Sequence, residues 1–386
     1  MARQNLAHLD AGTLELAPDL ARVPAAHYLD PARFELELAR IWRRLPLMLA
    51  LSAELPGPGA YRALVAAGVP VLIVRGGDGT LRAFVNSCSH RGAQVVADGA
   101  GSARRFTCPY HAWTYDDRGA LVGITNAAEF GAIDRACHGL VPLPVAERAG
   151  LVFVVLDPRS PLDIDAFLCG YDALLAEFGF ERWHLVERRE IPGPSWKLAY
   201  DGYLDLYHLP YLHKNTFGTQ FPNRPLYHAF GPHQRVDSPN PLLKKLAARP
   251  EHEWDARHLL GGVWTIFPHV SIASFDAGGR GVLVSQLFPG DGPLASVTLQ
   301  SYLMERQPKP EEKAAAEQLF ALLGRVVREE DYATGFRQQR ALASGAKSHV
   351  LFGRNEGGNQ RFHGWLERLL ATDDAALAGA FSEAAG

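Results

Sequence analysis

The amino-acid sequence predicts an α+β protein of two domains: a small antiparallel β domain, then a larger one in which an antiparallel sheet precedes a long C-terminal helix. Three observations carry this. Short strand-like runs with Gly-rich turns crowd the stretch before Asp157-Pro158. Three longer runs, VWTIFPHVSIASF, GVLVSQLF and ASVTLQSYL, lie between Gly262 and Tyr302, and amphipathic helical periodicity extends from about Pro310 to Ala343. At 386 residues the chain is too long for one ordinary core.

Residues 1–45 read as an N-terminal helical segment packing on the larger domain. From Pro31 to Leu45 the apolar residues Phe34, Leu36, Leu38, Ile41 and Trp42 recur near helical spacing, after a cap at Asp30. Pro56-Gly57-Pro58-Gly59 then breaks the chain. Within residues 46–160, Val69 to Val74, Leu81 to Val85, Arg104 to Thr107, Ala120 to Ile124 and Leu151 to Leu156 read as strands, with a hairpin turn at Gly76-Gly77-Asp78-Gly79. Within residues 161–386, Ile164 to Phe178 reads as a helix, Trp183 to Ile191 as a strand closed by Pro192-Gly193-Pro194, and Trp196 to Leu209 as another helix. Phe362 to Leu370 supplies the last helix, and the tail ATDDAALAGAFSEAAG is expected to fray. There is no internal repeat and no low-complexity tract.

A hydrophobic fraction of 47% and a charged fraction of 21% are those of a soluble globular protein. The net charge of -3, from 39 basic and 42 acidic residues without a basic block, argues against nucleic acid and anionic membranes as partners. The first residues, MARQNLAHLDAGTLELAPDLARV, lack an apolar core of signal-peptide length, and no stretch approaches the roughly 18 apolar residues of a membrane span. With Cys137 and Cys169 as unpaired singletons, a reducing cytoplasm is the expected compartment.

The stretch CSHRGAQVVADGAGSARRFTCPYH organises the first domain. Cys88 and His90 form a C-x-H pair, Cys108 and His111 a C-x-x-H pair, each in a turn-rich loop that a strand-like segment leads into. Two thiolates and two imidazoles on two loop tips make a metal site. Zinc uses two Cys and two His as well, but a zinc finger expects C-x2-4-C followed by H-x3-5-H, whereas here each loop carries one of each. Iron–sulfur centres with two Cys on one iron and two His on the other need this division. CSHRG and CPYHAWTYD closely resemble the two boxes of the Rieske family.

A second constellation lies in YDGYLDLYHLPYLH, from Tyr200 to His213. On a helix Asp205 and His208, three apart, share a face. Pro210 forces a kink or an opening that could swing His213 toward His208. Two His and a carboxylate bind non-heme Fe(II) on one face and leave the other open. The third ligand must come from elsewhere, and REEDYATGFRQQ offers Glu329, Glu330 and Asp331, among which spacing does not choose.

With D-x-x-H-x4-H, the later E-D-x7-Q, and LFGRNE and FHGW after it, nearly the whole chain resembles the large (α) subunit of the Rieske non-heme iron ring-hydroxylating oxygenases. The resemblance implies a Rieske domain over 46–160 and a catalytic domain of helix-grip fold over 161–386. It implies a 2Fe-2S cluster on Cys88, His90, Cys108 and His111, and a mononuclear Fe(II) on His208, His213 and Asp331. Asp205 matches the acid that bridges electron transfer between subunits, from His111 of one chain to His208 of the next. Where the family often has Glu-Asn, with the Asn close to the iron, this chain has Tyr200-Asp201, so Asp201 is expected to add a negative charge near the iron or to replace that Asn as a weak ligand. Further implications are a head-to-tail homotrimer, with or without a small β subunit, and electrons from NAD(P)H through a flavin reductase, with or without a ferredoxin. The implied reaction uses O2 and two external electrons to hydroxylate or dihydroxylate a small substrate.

An aromatic hydrocarbon or aromatic acid is expected as substrate from the Phe-rich run, with Phe217, Phe221, Phe267 and Phe275 as pocket candidates; a monooxygenase or demethylase acting on a quaternary-ammonium or N-/O-methyl substrate is the alternative. No carboxylate-binding residue is assigned among Arg224, Arg235, Arg280 and Arg337. His228, His233, His252 and His258 read as surface or pocket residues of a loop-rich insertion, and His269 and His363 as packed or hydrogen-bonded core histidines. Trp113, Trp196 and Trp365 read as packing anchors. Two rivals remain. A Rieske electron-transfer protein without oxygenase activity leaves His208 and His213 unexplained. A zinc-stabilised scaffold with a small-molecule pocket would be colourless, not red-brown.

Overall fold

A computed structural model describes residues 1–219, 224–238, 243–255 and 261–382. Every strand pairing in it is antiparallel. In the first half a five-stranded sheet has the order Pro142–Leu143, Leu81–Val85, Val69–Arg75, Ala60–Ala66, Gly99–Ser102. A three-stranded sheet of Arg105–Thr107, Thr114–Asp116 and Leu121–Gly123 packs on it through Phe106, Trp113 and Tyr115, and the buried Cys88 and Cys108 belong to this core. A further sheet joins Val145–Arg148, Leu151–Val155 and Pro46–Leu51.

The second half is built on a seven-stranded sheet, in the order His184–Gly193, Gly292–Met304, Arg280–Gly290, Val270–Asp276, Val263–Ile266, His233–Asp237, Leu226–Phe230. The helical stretch Pro310–Ala343 packs Phe320 and Leu323 on one face, against Leu283 and Tyr302. From the other face Gln286 donates to Met48 O at 2.7 Å, which ties the sheet to the Pro46–Leu51 strand. Near the chain ends, Ala21–Pro24 pairs with His349–Phe352. Among the described residues no helix is long and apolar enough to cross a membrane.

Several expectations need correction. The first sheet run is two strands, because the Phe267-Pro268 turn divides it. The helix expected over Ile164 to Phe178 is three short turns, broken where Cys169 and Gly170 both take positive φ, 51° and 75°. The helix from Trp196 ends at Asp201, and another turn spans Leu209–Leu212, so Asp205 lies between helices. The tail does not simply fray: Leu377–Ser382 is helical and buries Leu377 and Phe381. His228 and His233 sit on a hairpin of the large sheet, buried, not in a loop, and His252 is in an exposed turn. His258 and Phe221 lie outside the described residues.

His233 shows what that burial does. Its Nε2–H donates to Phe167 O at 2.9 Å and its Nδ1 accepts from the Phe267 N–H at 3.1 Å. A proton added at Nδ1 would break the second bond. Burial pushes the imidazole down to about 4. Below pH ~6.5 the unfolded chain protonates this residue first and binds the extra proton, so stability falls as pH drops toward 4. The shift amounts to roughly 3 kcal/mol at 1.36 kcal/mol per pKa unit. His233→Gln is expected to flatten the pH dependence of urea unfolding between pH 7 and 4 by about that amount; an unchanged slope would contradict the account.

Candidate metal centres and adjoining cavity

The Cys88 and Cys108 loops repeat one turn. The Gly92 N–H bonds back to Cys88 O at 2.8 Å and the Ala112 N–H to Cys108 O at 3.0 Å, with both turn residues at positive φ, 78° and 56°. The loops meet: the His90 and His111 rings are 4.6 Å apart, and His90 stacks on Trp113 at 5.0 Å and 11°. Trp113 is therefore more than a packing anchor, since it fixes the plane of one imidazole. His90 Nδ1 is buried without a hydrogen-bond partner among the described residues. An orphaned imidazole nitrogen on loops that bury two thiols fits a metal-binding role, and two Cys with two His fit a Rieske-type cluster. Sequence reading passed over Tyr115, whose hydroxyl lies 3.2 Å from Cys88 Sγ and accepts from the Ser89 N–H at 2.9 Å. Hydrogen bonds to a cluster's sulfurs are one lever on its potential. Cys137 is exposed and donates to Asp134 at 3.2 Å, as befits a surface residue.

The second constellation closes on three residues. One ligand atom each from His208, His213 and Asp331 lies within 4.8 Å of the others. Asp331 Oδ1 is 3.2 Å from His213 Nε2 and 3.8 Å from His208 Nε2. Pro210 is accommodated in the first turn of Leu209–Leu212, where its missing N–H is no loss. This brings the two rings to 5.2 Å. Asp331 comes from Val327–Tyr332, a wide π turn inside the long helix, a feature frequent at functional sites.

The three acids that spacing left open now separate. Glu329 is exposed and Asp331 faces both imidazoles. Glu330 takes the Nδ1 of His213 at 2.7 Å and the Thr216 hydroxyl on its other oxygen. Asp205 does the same for His208: its Oδ1 accepts from both the backbone N–H and the ring Nδ1, each at 3.0 Å. A carboxylate only accepts, so each Nδ1 carries the proton and each Nε2 keeps its lone pair for a metal. Burial alone would push both imidazoles down, but Asp205 and Asp331 raise His208, and Asp331 and Glu330 raise His213. The Glu330 carboxyl is held below its ordinary value, burial being outweighed by Thr216 and His213.

The Asp201 carboxylate is engaged within the chain. Its Oδ2 accepts from the Tyr28 hydroxyl and its Oδ1 meets His363 Nε2, both at 2.9 Å, while Asn359 donates to its carbonyl. The carboxylate is used in joining three distant parts of the chain, and Asp201 does not line the cavity described next. His363 is the hydrogen-bonded core histidine it was read as.

A cavity of about 160 Å³ adjoins His208, His213 and Asp331, between the sheet and the long helix. Phe217, Val263, Ala273, Phe275, Leu283 and Leu323 make it largely apolar. Phe267 packs on Phe362 in the core instead. Arg235 is paired with Asp237 and Arg280 with Glu305, Arg224 and Arg337 are exposed, and none of the four lines the cavity. A wider cleft of about 960 Å³, lined by Arg62, Asp98, Arg188 and Phe288 among others, has no His or Cys among its described walls. Size therefore does not mark the site here; the convergence of ligating atoms does.

Two families match the sequence: "Rieske [2Fe-2S] domain" over residues 46–142 and "Ring hydroxylating alpha subunit (catalytic domain)" over residues 180–372. Among characterised proteins, the glycine betaine monooxygenase oxygenase subunit of Chromohalobacter salexigens is 29% identical over 242 residues, 61% of this chain and 51% of that protein. The chlorobenzene dioxygenase subunit alpha of Cupriavidus sp. is 34% identical over 195 residues, 47% and 42% of the two chains. The chain thus spans about half the length of the curated relatives it matches. Among solved structures, the quaternary ammonium Rieske monooxygenase CntA in complex with L-carnitine superimposes with a TM-score of 0.77 at 23% identity, over 91% of this chain and 96% of that one. Naphthalene 1,2-dioxygenase from Rhodococcus sp. does so with 0.74 at 20%, over 96% and 98%. At these identities the likeness is one of fold.

Proposed function

Because the chain belongs to the ring-hydroxylating alpha-subunit family, with a Rieske [2Fe-2S] domain ahead of its catalytic domain, we propose that it is the terminal component of an oxygenase that uses O2 and two external electrons to hydroxylate or dihydroxylate a small, aromatic-sized substrate. The observation that carries this is the convergence of His208, His213 and Asp331 beside an apolar cavity. Three protein ligands on one face leave room for substrate and O2 on the other. Cys88, His90, Cys108 and His111 would hold the 2Fe-2S cluster, and His208, His213 and Asp331 the Fe(II). When bound, the cluster supplies electrons singly and the iron supplies the site of O2 reduction.

The chain's own residues do the rest. Asp205 and Glu330 hold the protons on Nδ1 of His208 and His213, which fixes both rings. The apolar walls exclude water and decide which carbon of the substrate is presented. Asp205 Oδ2 receives no hydrogen bond from a described residue, since Oδ1 takes both bonds to His208. That free oxygen suits it to accept from His111 of a neighbouring chain in a head-to-tail homotrimer, whose heterologous contacts close into a ring. The same reading takes 1–45 as an arm on the catalytic domain, 46–160 as the Rieske domain and 161–386 as the catalytic domain, in a cytoplasmic protein served by a flavin reductase with or without a ferredoxin. A second reading, oxidation of a quaternary-ammonium substrate, is favoured by the likeness to the glycine betaine monooxygenase subunit.

The test is metal content with an EPR spectrum of anaerobically purified, dithionite-reduced protein. About three irons per chain, two in the cluster and one in the triad, with a Rieske-type signal, are expected. A Rieske signal without the third iron, even after Fe(II) is added, would favour an electron carrier. Zinc without a signal would overturn the reading.

A further inference from the structure

We propose that the cavity beside the triad selects a neutral molecule, about the size of a single ring, that carries one uncharged hydrogen-bond acceptor, and that the Ser271 hydroxyl is the group that binds this acceptor. The proposal rests on the oxygenase reading above and names the substrate class for that site.

Size and charge come first. An apolar cavity of roughly 150 Å³ suffices to take up benzene, and this one measures about 160 Å³. An anion would find no counter-ion among the described walls, none of which is Arg or Lys. A permanent cation would find Asp331 shared between the two imidazoles, Asp205 holding His208 through Oδ1, and the rings of Tyr203, Phe217 and Phe275 as its other described neighbours. Burying either ion without a matched counter-ion is costly.

The acceptor is argued from the sheet. Ser271 lines the cavity, is 1% exposed, and its Oγ has no hydrogen-bond partner among the described residues. It belongs to a polar row that crosses six strands in register: Gln234, Thr265, Ser271, Ser285, Gln300 and Arg189. Residues directly opposite one another in a sheet share a face, so the row forms one band. Beside it runs the apolar band Val263, Ala273 and Leu283, also in register and also on the cavity wall.

The hydrogen bonds of the row have a direction. Arg189 Nε donates to Gln300 Oε1 at 2.9 Å, and Gln300 Nε2 donates to Ser285 Oγ at 3.3 Å. A guanidinium is always a donor, so the amide of Gln300 is oriented and Ser285 accepts while keeping its own proton to give. The Tyr203 hydroxyl, on the cavity wall as well, lies at this end of the row beside Ser285, Gln300 and Tyr332, which can take its proton. On the other side Thr265 Oγ1 donates to Gln234 O at 3.0 Å, away from Ser271. Thr265 has spent its proton on Gln234 O, Ser285 accepts from Gln300, and neither is bonded to Ser271, whose proton is left to offer the cavity. A wall hydroxyl left unpaired discriminates against a ligand that lacks its complement.

Calorimetric titration of the reduced, iron-loaded protein under anaerobic conditions tests this with four probes of similar shape: toluene, benzaldehyde, benzoate and benzyltrimethylammonium. Benzaldehyde is expected to bind about tenfold more tightly than toluene, and the two ions more weakly than either. In Ser271→Ala the benzaldehyde-to-toluene ratio is expected to fall to about one. The wild-type series decides independently of how well the variant folds. Equal affinity for benzaldehyde and toluene, tightest binding of benzoate or of the cation, binding of none of the four, or an unchanged ratio in the variant overturns the proposal. Iron content measured on the same sample separates that failure from a failure of the oxygenase reading, which would show as a missing third iron.

Discussion

Asp205→Asn and Glu330→Gln are each expected to weaken Fe(II) binding by about 10–100-fold, the usual cost of removing a carboxylate from behind a metal-binding imidazole. The two substitutions are geometrically matched, since Asp205 holds Nδ1 of His208 at 3.0 Å and Glu330 that of His213 at 2.7 Å. Their effects should part once Fe(II) is saturating. Glu330 spends its second oxygen on Thr216 within the chain, so Glu330→Gln should regain turnover. Asp205 has a second oxygen to offer a neighbour's His111, and an Asn would turn an NH2 toward that imidazole N–H or give up its bond to His208. Asp205→Asn should therefore keep the Rieske EPR signal and the restored iron yet stay inactive. Turnover measured against added Fe(II) decides: equal recovery of both variants would sink the bridging role of Asp205.

Glu37→Ala is expected to cost about 3–5 kcal/mol of stability, because it leaves a buried ammonium uncompensated. Glu37 is fully buried and accepts from Lys197 Nζ, from Trp196 Nε1 at 3.1 Å and from Arg33 Nε at 2.9 Å. Lys197 is 2% exposed; burial drives its pKa down, and Glu37 opposes that fall. Against a typical total of roughly 5–15 kcal/mol the loss is large. It would loosen the Pro31–Glu37 helix from the segment that leads into the metal site. Glu37→Leu combined with Lys197→Met should recover most of it, since apolar groups of similar volume replace buried ion pairs well. Urea midpoints of the single and double variants measure this; a single variant within about 1 kcal/mol of the parent would show that the pair contributes little.

Where local pattern and tertiary environment agree, the sequence was readable. Val69–Arg75 and the helical stretch Pro310–Ala343 follow from a β-branched run and from periodicity. Pro46–Leu51 escaped because an apolar run buried along its whole length carries no period to distinguish strand from helix. The hairpin Leu226–Asp237 escaped for the opposite reason: its His, Gln and Arg look like loop residues until tertiary packing buries them. The four candidate cluster residues, Cys88, His90, Cys108 and His111, could be proposed from the sequence because each pair is local. Asp331 rested on resemblance alone, since its distance in sequence from His213 hides which of three adjacent acids turns inward. Asp201 was placed near the iron by resemblance too, and its bonds to Tyr28 and His363, both far off in sequence, had no local signal. Ser271 could not be singled out before the register of four neighbouring strands was known.

The pairing of Ala21–Pro24 with His349–Phe352 bears on how the chain comes off the ribosome. At synthesis rates of roughly 5–20 residues per second, the early strand waits on the order of 15–65 s for its partner to be made. Through that interval its edge is unpaired and Val23, which ends up in a core with Phe352, has no Phe352 to pack against. The Rieske half can finish folding while the arm that precedes it is still loose, so the nascent chain depends on whatever keeps an exposed strand from pairing with the wrong neighbour.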